Sequence, residues 1–446
     1  MRILRSLLPP LLVALLTLSP GLAIAATAKR SFFNGAAGTL PLDPKDRAGT
    51  YFHMPQVRAI IEEMEARPLS EAEVTARLAG TDATPSNLAR TRLIRATPAG
   101  YVIGFNYFTL ADMRRIHAIA DRDVPSLVDS YLHHARDFDR IFSRYPVKSV
   151  PRERLATAVM AGIALNWDGL DKTMAWGYRR PQLVRGPGWK YSFFAAEADP
   201  SYSEHGFIWG SSTVFGEHDN LSGTPIDFTF SSFGDPYSDP RMNFPDLFFS
   251  PLADLAPDVR AAVEAIGARD ESYMGDELHG VLGPSRARSI GPMLFALRKA
   301  PQTAAALERY VEPADRAHAG AFLQLLTATD YIRRRRDGRY ELIAPVLDRQ
   351  DAAMLREALA LHRSLLHEWL KRHYPKERVE LSNLTAVRQG VPFGSLFTQI
   401  WHEYFGLATR ELVHRGFIED PYSPALRHPN SIAMVWRRSI YHFDPG

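Results

Sequence analysis

The order of apolar and polar positions divides this chain into segments of different kinds. Residues 7–18 are almost uninterruptedly apolar and follow two basic residues, Arg2 and Arg5. Helical spacing sets in near Ser70. There Ser70-Glu71-Ala72-Glu73 forms a capping box, with Ser70 accepting from the first turn and Glu73 reaching back. Val74, Leu78 and Ala79 follow on one side of the helix this opens. Residues 81–85 break it, and 87–93 begin another. Far downstream, Phe397, Ile400, Trp401, Tyr404 and Phe405 spread over a wide helical surface, which predicts a helix over 394–415 buried on most sides. Between about 182 and 255 no helical period survives. Aromatic rings dominate that stretch, punctuated by Gly and Pro, with short strand-like runs at Phe207-Ile208-Trp209 and Phe228-Thr229-Phe230.

Two segments carry the same pattern. Residues 93–103 and 331–342 each set a glycine, Gly100 or Gly338, between short β-rich runs, which reads as a hairpin. Tyr101 then aligns with Tyr340, and Asp112 with Asp351, at one common interval. Each segment continues into a helical stretch ending in a Tyr-Pro pair, Tyr145-Pro146 and Tyr374-Pro375, where the interval changes. It recovers at Gly169-Leu170 against Gly406-Leu407. Loss and recovery of register by compensating insertions predicts an internal duplication. The copies span 51–181 and 300–421, joined by the aromatic insert 182–255 and a helical connector 256–299, with a linker at 26–50 and a tail at 422–446. The fold class is therefore mainly α with minor β: two α+β repeats flanking an irregular, Gly/Pro-rich insert. In the second copy the paired helices fall at 303–310 and 317–326. Helix, turn, helix and hairpin resembles a winged helix-turn-helix unit, in topology only and without a specific motif.

That resemblance implies contact with DNA, and the four arginines 333–336 lie beside the second hairpin as a wing would need. The matching Arg95-Ala96-Thr97-Pro98 is not basic. The whole chain, with 53 basic and 50 acidic residues, carries only +3, too little for a general polyanion binder. Nucleic acid is accordingly not the expected partner, and the winged unit is read as a stacking module. At 446 residues and 46% hydrophobic content the chain can bury real cores in two or three domains. Having no cysteine excludes disulfides, thiolate metal sites and a Cys nucleophile. The N-terminus reads as an export signal: basic residues, the apolar run, then Ala23-Ile24-Ala25 as a small-x-small cleavage site. Pro9, Pro10, Pro20 and Gly21 interrupt the run and favour cleavage over the alternative, an uncleaved anchor. The expected location is periplasmic or secreted, with no transmembrane segment in the mature chain.

Candidate chemistry is scattered. Glu204-His205 and Glu217-His218-Asp219 bring acid and imidazole together inside the insert, where Trp189, Tyr202, Trp209 and Tyr237 could face a carbohydrate, a peptide or another envelope component. The competing reading is that these rings glue the two copies together. His367-Glu368 and His402-Glu403 each lack the second histidine four residues on that a helical zinc site requires, since Lys371 and Gly406 stand there. His362, His367 and His373 are spaced too unevenly to share a helix face. Gly210-Ser211-Ser212-Thr213 misses a nucleophile elbow because Val214 replaces the second glycine. His402-Glu403 remains the leading candidate, with a partner for His402 expected from Glu204, Glu217 or Asp219. No cofactor or metal follows from any of these. The sequence supports an exported binding or assembly protein with a cleft between the repeats and the insert. The alternative is a hydrolase or lyase on an envelope or extracellular polymer, using a His/carboxylate pair.

Overall fold

The computed structural model describes residues 30–37, 48–177, 192–199, 209–214, 229–234, 256–258, 261, 284–420 and 432–436. Over these the protein is mainly helical with small sheets. The first half runs β1 (Phe32–Ala37), α1 (Ala48–Phe52), α2 (Pro55–Met64), α3 (Glu71–Arg77) and α4 (Pro85–Arg90), then β2 (Ile94–Thr97), β3 (Gly100–Ile103) and β4 (Asn106–Phe108). It continues through α5 (Leu110–His133), α6 (Ala135–Phe142), α7 (Arg152–Ala156), a π-helix (Thr157–Asp168), α8 (Gly169–Gly177) and β5 (Ser192–Glu197). Next come β6 (Trp209–Val214), β7 (Thr229–Gly234), α9 (Pro284–Lys299), α10 (Ala304–Glu308), a 3-10 turn (Pro313–His318), α11 (Ala319–Ala328), β8 (Ile332–Arg334), β9 (Tyr340–Leu342) and β10 (Val346–Leu347). The chain ends with α12 (Ala352–Glu380), α13 (Thr385–Arg388), α14 (Phe393–His414) and β11 (Ile432–Trp436).

Local chemistry sets the same marks in both halves. The Ser70–Glu73 capping box opens α3, and Thr303 caps α10 through its hydroxyl. Arg92 and Asp330, both left-handed, end the helix before each hairpin. Tyr101 exchanges two main-chain bonds with Leu69 at 2.7 and 3.0 Å, and Tyr340 does the same with Gln302 at the same lengths. Gly100 permits this approach: its φ is +121°, and a Cβ there would sit 2.6 Å from Leu69 O. Thr109 and Asp112 form a capping box before α5, and Asp348 and Asp351 form one before α12. Of the four consecutive arginines, Arg333 and Arg335 bond Glu341 across the second hairpin at 2.7 and 3.2 Å.

The two larger sheets share an arrangement of strands. In the first, β5 lies between antiparallel β1 (Gly35 opposite Phe194) and parallel β4 (Tyr107 opposite Ala195). In the second, β11 lies between antiparallel β7 (Phe230 opposite Val435) and parallel β10 (Val346 opposite Val435), with β6 added outside β7. The stretch expected to be irregular thus supplies β5, β6 and β7, in both sheets. β5 also divides the interior. Alternate side chains of a strand face opposite ways, so Phe193 and Ala195 enter one core with Tyr51, Phe52, Ile60, Leu88 and Tyr107. Phe194 and Ala196 enter the larger one, built on α5, the π-helix, α12 and α14.

Helices α5, α12, α14 and the π-helix pack together and carry half of the buried polar groups among the described residues. Inside the π-helix, Gly169 N bonds Ala164 O, five residues back, and Leu165 O accepts Trp401 Nε1 at 2.7 Å. Among the described residues no helix is long and apolar enough to cross a membrane.

Candidate functional site

Glu204, His205, Glu217, His218, Trp189, Tyr202 and Tyr237 lie outside the described residues, as do Asp219 and the N-terminal segment 1–29. Trp209 begins β6, its Cα opposite Gly234 of β7. His402 and Glu403 can be placed in full. Their helix, α14, spans Phe393–His414 and is apolar on most sides, with Phe397, Trp401, Tyr404 and Phe405 fully buried. Glu403 is the more enclosed of the pair at 3% exposure, and His117 of α5 meets it, Nε2 to Oε2, at 3.0 Å. His402 is half-buried and stacks on Phe194 of β5, ring centroids 6.3 Å apart. One turn earlier on the same side, Gln399 is buried and neither atom of its amide makes a hydrogen bond among the described residues. Arg114 of α5 reaches buried Asp199 just past β5 at 3.4 Å, and Glu197 accepts Leu110 N at 2.8 Å. Together α5, α14 and β5 thus assemble His117, Gln399, His402 and Glu403. Sequence reasoning found the second pair and missed the first.

A second cluster lies further along α5. His373 and Glu377 stand one turn apart on α12, and Asp123 comes from α5. His373 Nδ1 lies 3.4 Å from Asp123 Oδ1, and its Nε2 lies 3.3 Å from Ser126 Oγ. Trp369 stacks on the imidazole with centroids 4.8 Å apart. Arg122 Nε donates to Asp123 at 2.9 Å, and Arg122 also pairs with Glu380. Glu377 is fully buried, and among the described residues neither of its oxygens makes a short hydrogen bond. Burial, with the Asp123 carboxylate near it, lifts its acid to about 8. The spacing His373-x-x-x-Glu377 was visible in the sequence, but its third member is on another helix.

A third group joins His362 of α12 to Tyr131 of α5, whose hydroxyl meets Nδ1 at 2.9 Å and whose ring stacks on the imidazole. Asp168, the last residue of the π-helix, lies 3.7 Å from Nε2 and is held by Arg363 at 2.7 Å. His362, His367 and His373 therefore go separate ways, His367 meeting the edge of Trp176. Burial holds the His362 imidazole down at about 4, aided by the positive charges of Arg363 and Lys172 and opposed by the Asp168 carboxylate. The unfolded chain takes up this proton near pH 6.5 and the folded one resists it, so stability falls as the pH drops from 6.5 through about 4. This group alone accounts for about 3 kcal/mol over that window. Chemical denaturation at several pH values checks it: His362→Gln should flatten the acid slope, and an unchanged slope would remove His362 as its source.

No protein-family model matches this chain, and neither a curated protein nor a solved structure matches it.

Proposed function

We propose that the chain is an exported binding or assembly protein made of two copies of one unit, taking a polar carbohydrate or peptide ligand where α14 meets β5 and β6. The observation that carries the ligand reading is Gln399. A buried amide without a hydrogen bond costs about 1–3 kcal/mol, and this one, unbonded among the described residues, stands a turn from half-buried His402. An amide offers two donors and an acceptor, which suits hydroxyl- or amide-bearing ligands, and Phe194 supplies a flat apolar wall beside them.

The duplication reading is supported by the common sheet order, the paired bridges at Tyr101 and Tyr340, the paired capping boxes and the matching left-handed residues. On these marks the copies are wider than the sequence pattern suggested, running about 32–197 and 229–436. The helix–helix–hairpin order of 71–103 and 304–342 supports winged-helix-like units within them. Export is supported by Arg2, Arg5, the apolar run and Ala23-Ile24-Ala25.

A second reading, a hydrolase or lyase, is favoured by the His117–Glu403 pair, an imidazole oriented by a carboxylate. One set of experiments separates them. Expressed in a Gram-negative host, the protein should leave the cytoplasm with a chain starting near Ala26. It should then bind ligands on glycan or peptide arrays without altering them. Gln399→Leu should lower affinity about tenfold or more while raising the melting temperature, because it deletes an unpaired buried amide. Binding untouched by Gln399→Leu and His402→Ala would sink the ligand site; turnover lost in Glu403→Gln would select the enzyme. Retention in the cytoplasm with Met1 intact would end the export reading.

A further inference from the structure

The cluster on the α12 side of α5 answers to different chemistry. One donor atom from each of Asp123, His373 and Glu377 lies within 4.8 Å of the others. Nitrogen and oxygen ligands around a divalent cation stand roughly 3.0–4.2 Å apart when each bond is about 2.1 Å. His373 Nδ1 and Asp123 Oδ1, at 3.4 Å, already hold that separation.

The hydrogen atoms decide what belongs between them. Ser126 Oγ has one proton, and its short bond, 2.7 Å, goes to Asp123 main-chain O. Trp369 Nε1 donates to Ser126 Oγ at 3.1 Å. Toward His373 Nε2, at 3.3 Å, Ser126 can then only accept. The ring proton belongs on Nε2, and Nδ1 turns a bare lone pair toward a carboxylate oxygen. Beside it stands Glu377, fully buried, and among the described residues only the Tyr404 hydroxyl faces its carboxyl. Three lone-pair donors lie within 4.8 Å of one another, and a cation is what satisfies them together.

We propose that Asp123, His373 and Glu377 bind a single divalent transition-metal ion, Zn2+ by preference. The surrounding bonds are those a metal site carries, because ligands are held by partners of their own. Ser126 fixes the imidazole through Nε2, and Trp369 stacks against its face. Arg122 occupies one edge of Asp123 and leaves a lone pair on each oxygen. The Tyr404 hydroxyl, buried on α14, faces Glu377. One imidazole with two carboxylates suits Zn2+, whereas Mg2+ favours oxygen and gives up its water reluctantly. The site is independent of the ligand reading at His402 and of export.

The test uses the purified full-length protein, stripped with a chelator and titrated calorimetrically with Zn2+ and, separately, Mg2+. One Zn2+ per chain should bind, the melting temperature should rise with it, and Mg2+ should bind far more weakly. Glu377→Gln and His373→Gln should each weaken Zn2+ binding by about 100-fold or more. Exposed His133→Ala should leave it unchanged, which separates the site from surface histidines. Glu377→Gln replaces a buried acid with a neutral amide of the same shape, so its folding is checked by circular dichroism and a cooperative melt. Asp123→Asn serves as a third variant should either of the others unfold. A folded wild-type chain that takes up no Zn2+, or one whose uptake survives Glu377→Gln, overturns the proposal.

Discussion

Gly169→Ala should destabilise the protein by about 3–5 kcal/mol, far beyond the cost of one methyl group elsewhere. The added Cβ would stand 2.6 Å from Trp401 Nε1 and 2.9 Å from two of its ring carbons, inside any tolerable contact. Trp401 cannot swing aside. It is fully buried, its ring is edged by Trp369 and Tyr404, and its indole N–H is committed to Leu165 O at 2.7 Å. Overpacking a dense core costs about 1–3 kcal/mol. Tearing a buried donor from its acceptor adds about 1–3 kcal/mol. Gly320→Ala is the control: it is helical, nothing lies within 4 Å of its Cβ, and it should gain a few tenths of a kcal/mol or more from helix propensity. Urea titrations with unchanged slope read both. A Gly169→Ala midpoint near wild type would mean the π-helix yields to the ring.

Arg298→Met should cost about 3–5 kcal/mol at neutral pH. Arg298 Nη2 donates to both oxygens of Asp351 at 2.8 Å and Nε donates to Val346 O at 3.1 Å, with both residues almost wholly buried. Without the guanidinium a carboxylate remains enclosed and uncompensated. Burial raises the Asp351 acid even with Arg298 present, and its removal raises it further. A raised folded-state acid favours the folded protein at low pH, so the variant's deficit should shrink as the pH falls. Adding Asp351→Asn should recover most of it at neutral pH, because an amide still accepts Asp348 N in the cap. A deficit that neither acid nor the second substitution relieves would assign the loss to packing around Val346 instead.

What could be read from sequence was what neighbours decide. The Ser70 capping box, the turns at Gly100 and Gly338 and the apolar sweep of α14 depend on residues within a turn or two. The expected helix over 394–415 differs from the observed one by a single residue at each end. Partners were not legible. Periodicity says which face of α5 turns inward, but not that His117 meets Glu403 while Asp123, further along, meets His373. The π-helix was invisible for another reason: Thr157–Asp168 is small and apolar enough to read as any buried helix. Strands β5 and β11 escaped because each is central only through partners far away in the chain, and aromatic residues between glycines carry no period that announces a sheet. Trp209, named for ligand contact, opens a strand that pairs with β7.

The way β5 serves two interiors bears on when the first half of the chain can close. Phe193 and Ala195 complete a core whose other members all precede Phe108, and among the described residues β1 has no partner strand until Ser192–Glu197 arrives. During synthesis, the leading segment must therefore wait, its rings uncovered, until nearly half of the polypeptide has been made. A chain with that dependence stays open for longer than one whose opening helices could close on themselves.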